Sequence, residues 1–296
     1  MKTKLIVLWV GLMTIIMACG GVAPTAAPDQ TTLETMVAAT LQAHTQEAAD
    51  NPTQPSGIPI SFQNISFTIP EGLATGAQSE IVPRFEDTGD IPYWSVTPEY
   101  VRFVLARTST FQSNFDFEIN VIPADEYMQM NEAATERIPL LQQKLTSGDL
   151  SGITVLPPFN AGLVIDAQPT KVDFQNGIGI RAIQQYHQAP VPITNDYLIY
   201  TYQGITQDGK YYVSIVAPIH AAFLIDQTYN PDPNATTPTP VVPGGGFVFP
   251  NVTEFDNPEF EQYYQAVTEK LSQSTADQFT PSLSVLDALV QSILVQ

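Results

Sequence analysis

The chain has 296 residues, 44% of them hydrophobic, enough for one globular domain with appendages. Thirty acidic side chains against eleven basic ones give a net charge of −19. That field repels nucleic-acid phosphates and gives no electrostatic grip on anionic lipid, and the single cysteine excludes an intrachain disulfide.

Lys2 and Lys4 precede an apolar run from Leu5 to Met17. This is a positive n-region followed by an h-region too short for a comfortable membrane span. The run ends in Ile16-Met17-Ala18-Cys19-Gly20, which resembles the lipobox of bacterial lipoproteins. The resemblance implies that residues 1–18 are a signal peptide, that Cys19 is the lipid-attachment residue, and that the mature chain is membrane-anchored on the extracytoplasmic face. A diacylglycerol thioether supplies two acyl chains, about what stable anchoring requires. The competing reading is an ordinary secretory signal cut near Ala18, with Cys19 incidental. Removal of residues 1–18 takes away two lysines and no acid, so the net charge moves from −19 to −21.

Residues 19–57 are rich in Ala, Thr, Pro and Gln, a linker composition. As a flexible coil this stalk spans about 35 Å. It holds one helical signal: Thr31 and Glu34 at capping-box spacing, then Leu33, Met36, Val37, Leu41 and His44 at helical intervals, stopped by Asp50-Asn51-Pro52. A spacer is the plain reading, and a short oligomerising coiled coil the alternative.

From residue 58 to 296 the pattern is that of one α+β domain. Ile58, Ile60 and Phe62, then Ile65, Phe67 and Ile69, alternate as two strands closed by Pro70-Glu71-Gly72. Residues 78–98 read as irregular. Tyr100–Leu105 and Phe115–Ile122 read as a strand pair around the polar loop Thr108–Asn114. Pro123-Ala124-Asp125-Glu126 opens helical sequence to about Leu145, which Pro139 is expected to kink or divide. Val172-Asp173-Phe174 and Ile178-Gly179-Ile180 flank Gln175-Asn176-Gly177. A three-residue loop with Gly177 left-handed gathers their apolar residues on one face. Asp208-Gly209 marks a further hairpin with a two-residue loop. It places Tyr202 opposite Ile215 on a core face, and Gln203 opposite Ser214 on the other. A Pro/Thr/Gly-rich excursion covers residues 230–246. Asn257-Pro258-Glu259 starts a helix with the stripe Phe260, Tyr263, Tyr264, Val267, Leu271. Thr280-Pro281 starts a last one, with Leu283, Leu286, Val290 and Ile293 inward.

Grouped hairpins with separate helices specify an antiparallel sheet with helices packed on one face; a doubly wound α/β fold is the alternative. The opening strands and central sheet are similar to the PsbP/Mog1-like sandwich, a resemblance without a diagnostic motif.

No catalytic motif is present. His44, His187 and His220 lack zinc spacing, and there is no nucleophile elbow or phosphate loop. Gly244-Gly245-Gly246 is a flexible turn. Glu86, Asp87 and Asp90 share one loop. Asn230, Asp232 and Asn234 alternate like the opening of a calcium loop but lack its glycine and its twelfth-position glutamate. Both groups read as solvated carboxylates. Tyrosines 186, 197, 200, 202, 211 and 212 read as cross-strand packing, with Tyr212 the best candidate to line a groove. Asn64, Asn234 and Asn251 open formal glycosylation sequons without meaning in a bacterial lipoprotein. No metal, cofactor or nucleic acid is implied. The expectation is a tethered extracytoplasmic module that binds an unknown protein or small molecule. The alternatives are a carboxylate-dependent hydrolase of envelope or extracellular polymers, and a structural surface protein.

Overall fold

In the structure, a computed structural model, residues 56–86, 89, 92–226, 247–250, 252 and 256–296 are described. Strands β1 (Gly57–Phe62) and β2 (Ile65–Pro70) form the expected hairpin, and β12 (Leu294–Val295) adds to β2. The main sheet has seven strands: β3 (Ala74–Val82), β4 (Tyr100–Arg107), β5 (Glu118–Pro123), β6 (Gly162–Phe174), β7 (Gly177–His187), β8 (Ile199–Thr206) and β9 (Tyr211–Pro218). Their order is β3-β4-β5-β9-β8-β7-β6, and every ladder is antiparallel. A two-residue pair, β10 (His220–Ala221) with β11 (Phe279–Thr280), lies apart. The described helices are α1 (Ala124–Met130), α2 (Glu132–Ser147), α3 (Pro258–Gln273) and α4 (Leu283–Gln291). The fold is therefore α+β, built from hairpins, and the doubly wound alternative does not apply.

The β8–β9 register is the expected one: Tyr202 faces Ile215, Gln203 faces Ser214 and Gly204 faces Val213. The loop differs. Thr206 and Tyr211 bracket four residues, and the Gly209 amide donates to the Thr206 carbonyl (2.9 Å). Gly209 sits at φ +76°, a left-handed conformation that glycine adopts without Cβ penalty. The Asp208 carboxylate accepts from the Thr206 hydroxyl and the Lys210 amide, closing the turn locally. A four-residue loop about the same centre preserves the pairing that a two-residue loop would give.

The helices divide between the two faces of the sheet, which corrects the expectation that they pack on one face: each sheet face carries apolar side chains that need cover. On the first face, Phe103, Ile119, Tyr202, Val213 and Ile215 pack in one cluster with the β1–β2 hairpin, with Tyr263, Val267 and Leu271 of α3, and with Leu283, Leu286 and Val290 of α4. On the second face, Ile122, Ile180, Ile205 and Tyr212 pack with Ala124 and Tyr127 of α1 and Ile138 and Leu141 of α2. The expectation that one face of the β8–β9 hairpin is buried is thus corrected: Tyr202 and Ile215 are buried, and so are Gln203 and Ser214.

Several polar side chains of the second face are partnered by a loop segment or by one another, whereas Ser214 Oγ has no partner among the described residues. The Gln184 and Gln203 amides both donate to the Ile153 carbonyl, at 2.8 and 3.2 Å. The Tyr212 hydroxyl donates to Gln203 (2.9 Å) and the Tyr186 and Thr201 hydroxyls to Gln184 (2.7 and 2.9 Å). The Val155 amide donates back to Tyr186 (3.1 Å). Leaving such groups unpaired would cost about 1–3 kcal/mol each.

The β6–β7 hairpin corrects a second expectation. Phe174 pairs with Gly177 and Val172 with Gly179, so the loop is Gln175-Asn176, and Gly177 is not left-handed. Glycine is needed there for space. A Cβ on Gly177 would lie 2.0 Å from the Phe174 ring, and one on Gly179 would lie 2.3 Å from the Gln203 carbonyl oxygen and 2.5 Å from the Tyr202 ring. Tyr202 lies flat across Gly179 and Gly204, and its hydroxyl donates to the Val172 carbonyl (3.1 Å).

The helical segment after Pro123 breaks at Asn131, not at Pro139, which lies inside α2. Asn131 is extended, and its side chain accepts from the Ala134 amide, capping α2. β3 occupies the start of the stretch expected to be irregular. Its side chains are small, polar and mostly exposed, so no apolar alternation announces it.

Gly179→Ala is expected to destabilise the domain by about 2 kcal/mol or more, because the new Cβ meets backbone. Gly76→Ala, with open space around it, serves as the neutral control. Urea denaturation of the two variants checks this.

Candidate functional site

The candidate site is a groove of about 780 Å³ between α3 and the start of β6. Leu163, Val164 and Pro190 form one side; Asn257, Glu261, Tyr264, Thr268 and Ser272 of α3 form the other. The helix residues recur every three or four positions, so one face of α3 supplies them, next to the face buried against the sheet. The lining is predominantly apolar with a polar rim, the form common to small-ligand sites.

Three anchors hold the groove open. Asn257 caps α3 by accepting from the Glu259 amide (2.9 Å), and Pro258 opens its first turn. The Tyr263 hydroxyl accepts from the Ile193 amide, and the Tyr264 hydroxyl bonds both the amide and the carbonyl of Val191, fixing the wall next to Pro190. At the other end, a bulge in β6 between Ala167 and Thr170 turns Gln168 to φ +51°. Its amide donates to the Leu271 and Ser274 carbonyls at the C-terminus of α3. Arg181 donates to the Gln168 carbonyl (2.9 Å) and approaches Asp287 of α4 (3.5 Å), which also accepts from Tyr200. Burial pushes the Asp287 carboxyl above its ordinary range although Arg181 and Tyr200 oppose the shift.

A second cluster sits where β4, β7 and β9 end. Loop residues Arg107, Phe111, Ser113, Asn114 and Asp196 line a cleft of about 390 Å³, and Phe111 and Asp226 border another of about 490 Å³. His220 bonds Asp226 through Nε2 (2.9 Å) and stacks near Phe111. Asn195 donates to the same carboxylate. This pairs a base with an orienting acid; among the described residues no hydroxyl or thiol is hydrogen-bonded to His220.

His187, at the same end, rests against Tyr197, with ring centroids 5.1 Å apart. The Gln185 amide nitrogen donates to its Nε2, while the Gln185 oxygen accepts from Thr194. The ring is therefore an acceptor and neutral, and burial lowers its pKa to about 4. Both described histidines thus lie at strand ends, as expected. Sequence spacing gave no sign that His220 meets Asp226 six residues on.

The tyrosines resolve as packing. Tyr186, Tyr200, Tyr202 and Tyr212 are buried, and Tyr197 and Tyr211 are half-buried. Tyr212 lines no groove: its hydroxyl belongs to the buried network. Glu86 is exposed and pairs with Arg84 (2.8 Å). Asn64 donates to the terminal Gln296 carbonyl. Cys19, His44, Asp87, Asp90, Asn230, Asp232, Asn234, Gly244, Gly245, Gly246 and Asn251 lie outside the described residues. Among the described residues no acidic, histidine or cysteine group is arranged to hold a metal ion. The sequence pattern places Tyr264 on the apolar stripe and does not announce the groove. Helical spacing puts Glu261, Thr268 and Ser272 on the same helix face as Tyr264, but it does not show that Leu163 and Val164 lie opposite. The chain matches no protein-family profile, no curated protein and no solved structure.

Because His187 binds its proton less readily when folded, it contributes stability that is complete above the ordinary histidine range, near 6.5, and is lost as pH falls towards 4. Asp287 and Glu118, both raised by burial, act in the opposite direction. The His187→Gln variant should therefore lose less stability than the parent between pH 7 and pH 5. The expected difference is about 1 kcal/mol, roughly half the full electrostatic value, since the ring keeps part of its water. Chemical denaturation at the two pH values measures it.

Proposed function

We propose that this chain is a membrane-tethered extracytoplasmic lipoprotein whose domain binds a ligand in the α3–β6 groove without turning it over. The observation that carries the reading is the groove: a preformed, mainly apolar concavity with both walls fixed by hydrogen bonds to backbone. The tether rests on the lipobox-like residues ending at Cys19, on the charged n-region before them and on the Pro/Ala/Thr-rich stalk that follows. Among the described residues no helix is long and apolar enough to cross a membrane. A lipid on Cys19 would supply the attachment, and the stalk would hold the domain away from the headgroups.

Two experiments test this. Cys19→Ala should abolish partitioning into the membrane fraction or leave an unprocessed precursor; mass spectrometry showing an unmodified mature Cys19 overturns the tether. Thr268→Trp should fill the groove and weaken binding of the neutral apolar dye Nile red about tenfold, with the circular dichroism spectrum unchanged. Undiminished binding refutes the groove, and loss of glycan or peptide hydrolysis on a single acid-to-amide change would establish the hydrolase instead.

A further inference from the structure

We infer that the groove selects a short, extended, cationic amphipathic peptide. This deepens the reading that the groove is a binding site and rests on it. Three carboxylates line the groove, Asp256, Glu261 and Glu269, and no Lys, Arg or His does among the described residues. Glu261 accepts from the Gln265 amide and Glu269 from the Gln273 amide, each one turn on along α3. These partners are neutral, and among the described residues none of the three carboxylates forms an ion pair. The wall therefore carries uncompensated negative charge facing an apolar floor of Leu163 and Val164.

The spacing fits an extended chain. Glu261 and Glu269 are eight residues apart, about 12 Å along the helix axis. In an extended peptide, positions i and i+4 point to the same side and lie about 14 Å apart, while i+1 and i+3 point to the other side. A sequence of the form Lys-Leu-Ser-Leu-Lys thus sets two ammonium groups against the α3 carboxylates and two leucines on the floor. The ammonium groups pair with carboxylates at the rim, and the leucines leave water. Complementary charge of this kind fixes register and rejects like-charged competitors more than it adds affinity.

The test is calorimetric binding of acetyl-Lys-Leu-Ser-Leu-Lys-amide to the full chain, alongside the analogues with Gln or Glu in place of both Lys. The Lys peptide should bind about tenfold tighter than the Gln analogue, and the Glu analogue most weakly. E261Q/E269Q should reduce the Lys-over-Gln preference to about twofold. E71Q/E136Q removes the same charge from exposed sites away from the groove and should leave the preference intact, which separates the local wall from the overall field of the protein. E261K/E269K should reverse the preference towards the Glu analogue. Equal binding of all three peptides, or equal effects of the two double amide variants, overturns the charge selection while leaving an apolar groove standing. Binding of none of them, or binding that Thr268→Trp does not weaken, overturns the groove as well.

Discussion

The second face of the main sheet is the constraint on which the rest of the structure depends. It carries Gln184, Gln203, Thr201, Tyr186 and Tyr212 in adjacent strands, all buried. Such a face is costly to cover unless every polar group finds a partner. One backbone carbonyl, Ile153, accepts from both glutamines, and the tyrosine and threonine hydroxyls complete the ladder. Each bond adds only about 1 kcal/mol net, so the ladder is chiefly a device of specificity: the segment around Ile153 satisfies both glutamines at once, while Ser214 Oγ and Asn120 Oδ1 stay buried without a partner among the described residues. Arg137 of α2 donates to Val155 in that same segment, which ties the helix to the ladder.

With the second face closed in this way, the first face can take a conventional apolar cover. Its particular feature is the pairing of large aromatic rings with glycines. Tyr202 and Phe174 lie over Gly177, Gly179 and Gly204, where any Cβ would collide. The rings restore the contact area that glycine strands lack. This flat surface receives α4, and the Gln168 bulge next to it receives the end of α3. The groove is a consequence of that placement: α3 is fixed at its C-terminus by Gln168 and along its length by Tyr263 and Tyr264, and its adjoining face remains over the edge strand. The bulges and Pro169 in β6 also disrupt the regular ladder at that edge, a usual protection against unwanted strand pairing.

The parts of the fold legible in the sequence were those with strong local signals. The alternation from Ile65 to Ile69, the Asn257-Pro258-Glu259 start and the leucine stripe after Pro281 each marked an element and its buried face, whereas the same alternation in β1 marked a strand whose Ile58 is exposed. The β8–β9 pairing was legible because its turn is centred on Asp208-Gly209, whatever the loop length. What was not legible depended on partners distant in sequence. Gln203 and Ser214 look solvated until Ile153, some fifty residues earlier, is known to cover that face. Gly177 looks like a turn residue until the ring of Phe174 is placed over it, and nothing in the strand pattern around Gly179 announces the ring of Tyr202. Pro139 looks like a break, but Asn131 offers a side-chain cap and an extended backbone where the chain needs to turn. The groove joins Leu163 and Val164 to a helix about a hundred residues later, and no local pattern encodes that contact. The His220–Asp226 pair was within reach, yet short spacing alone does not distinguish it from two solvated residues.

A charge of −19 and a wall of carboxylates without ion pairs among the described residues belong to the same physical picture, in which the field keeps the protein dispersed and an apolar concavity lies between α3 and β6. The claim most exposed to test is that this concavity, and not the cleft at the ends of the strands, is where a ligand rests. Amide hydrogen exchange of the full chain with and without the Lys-Leu-Ser-Leu-Lys peptide locates it directly. The account predicts slowed exchange confined to residues 162–165 and 257–272. Slowing centred on residues 108–114 and 219–226, or none at all, would contradict it.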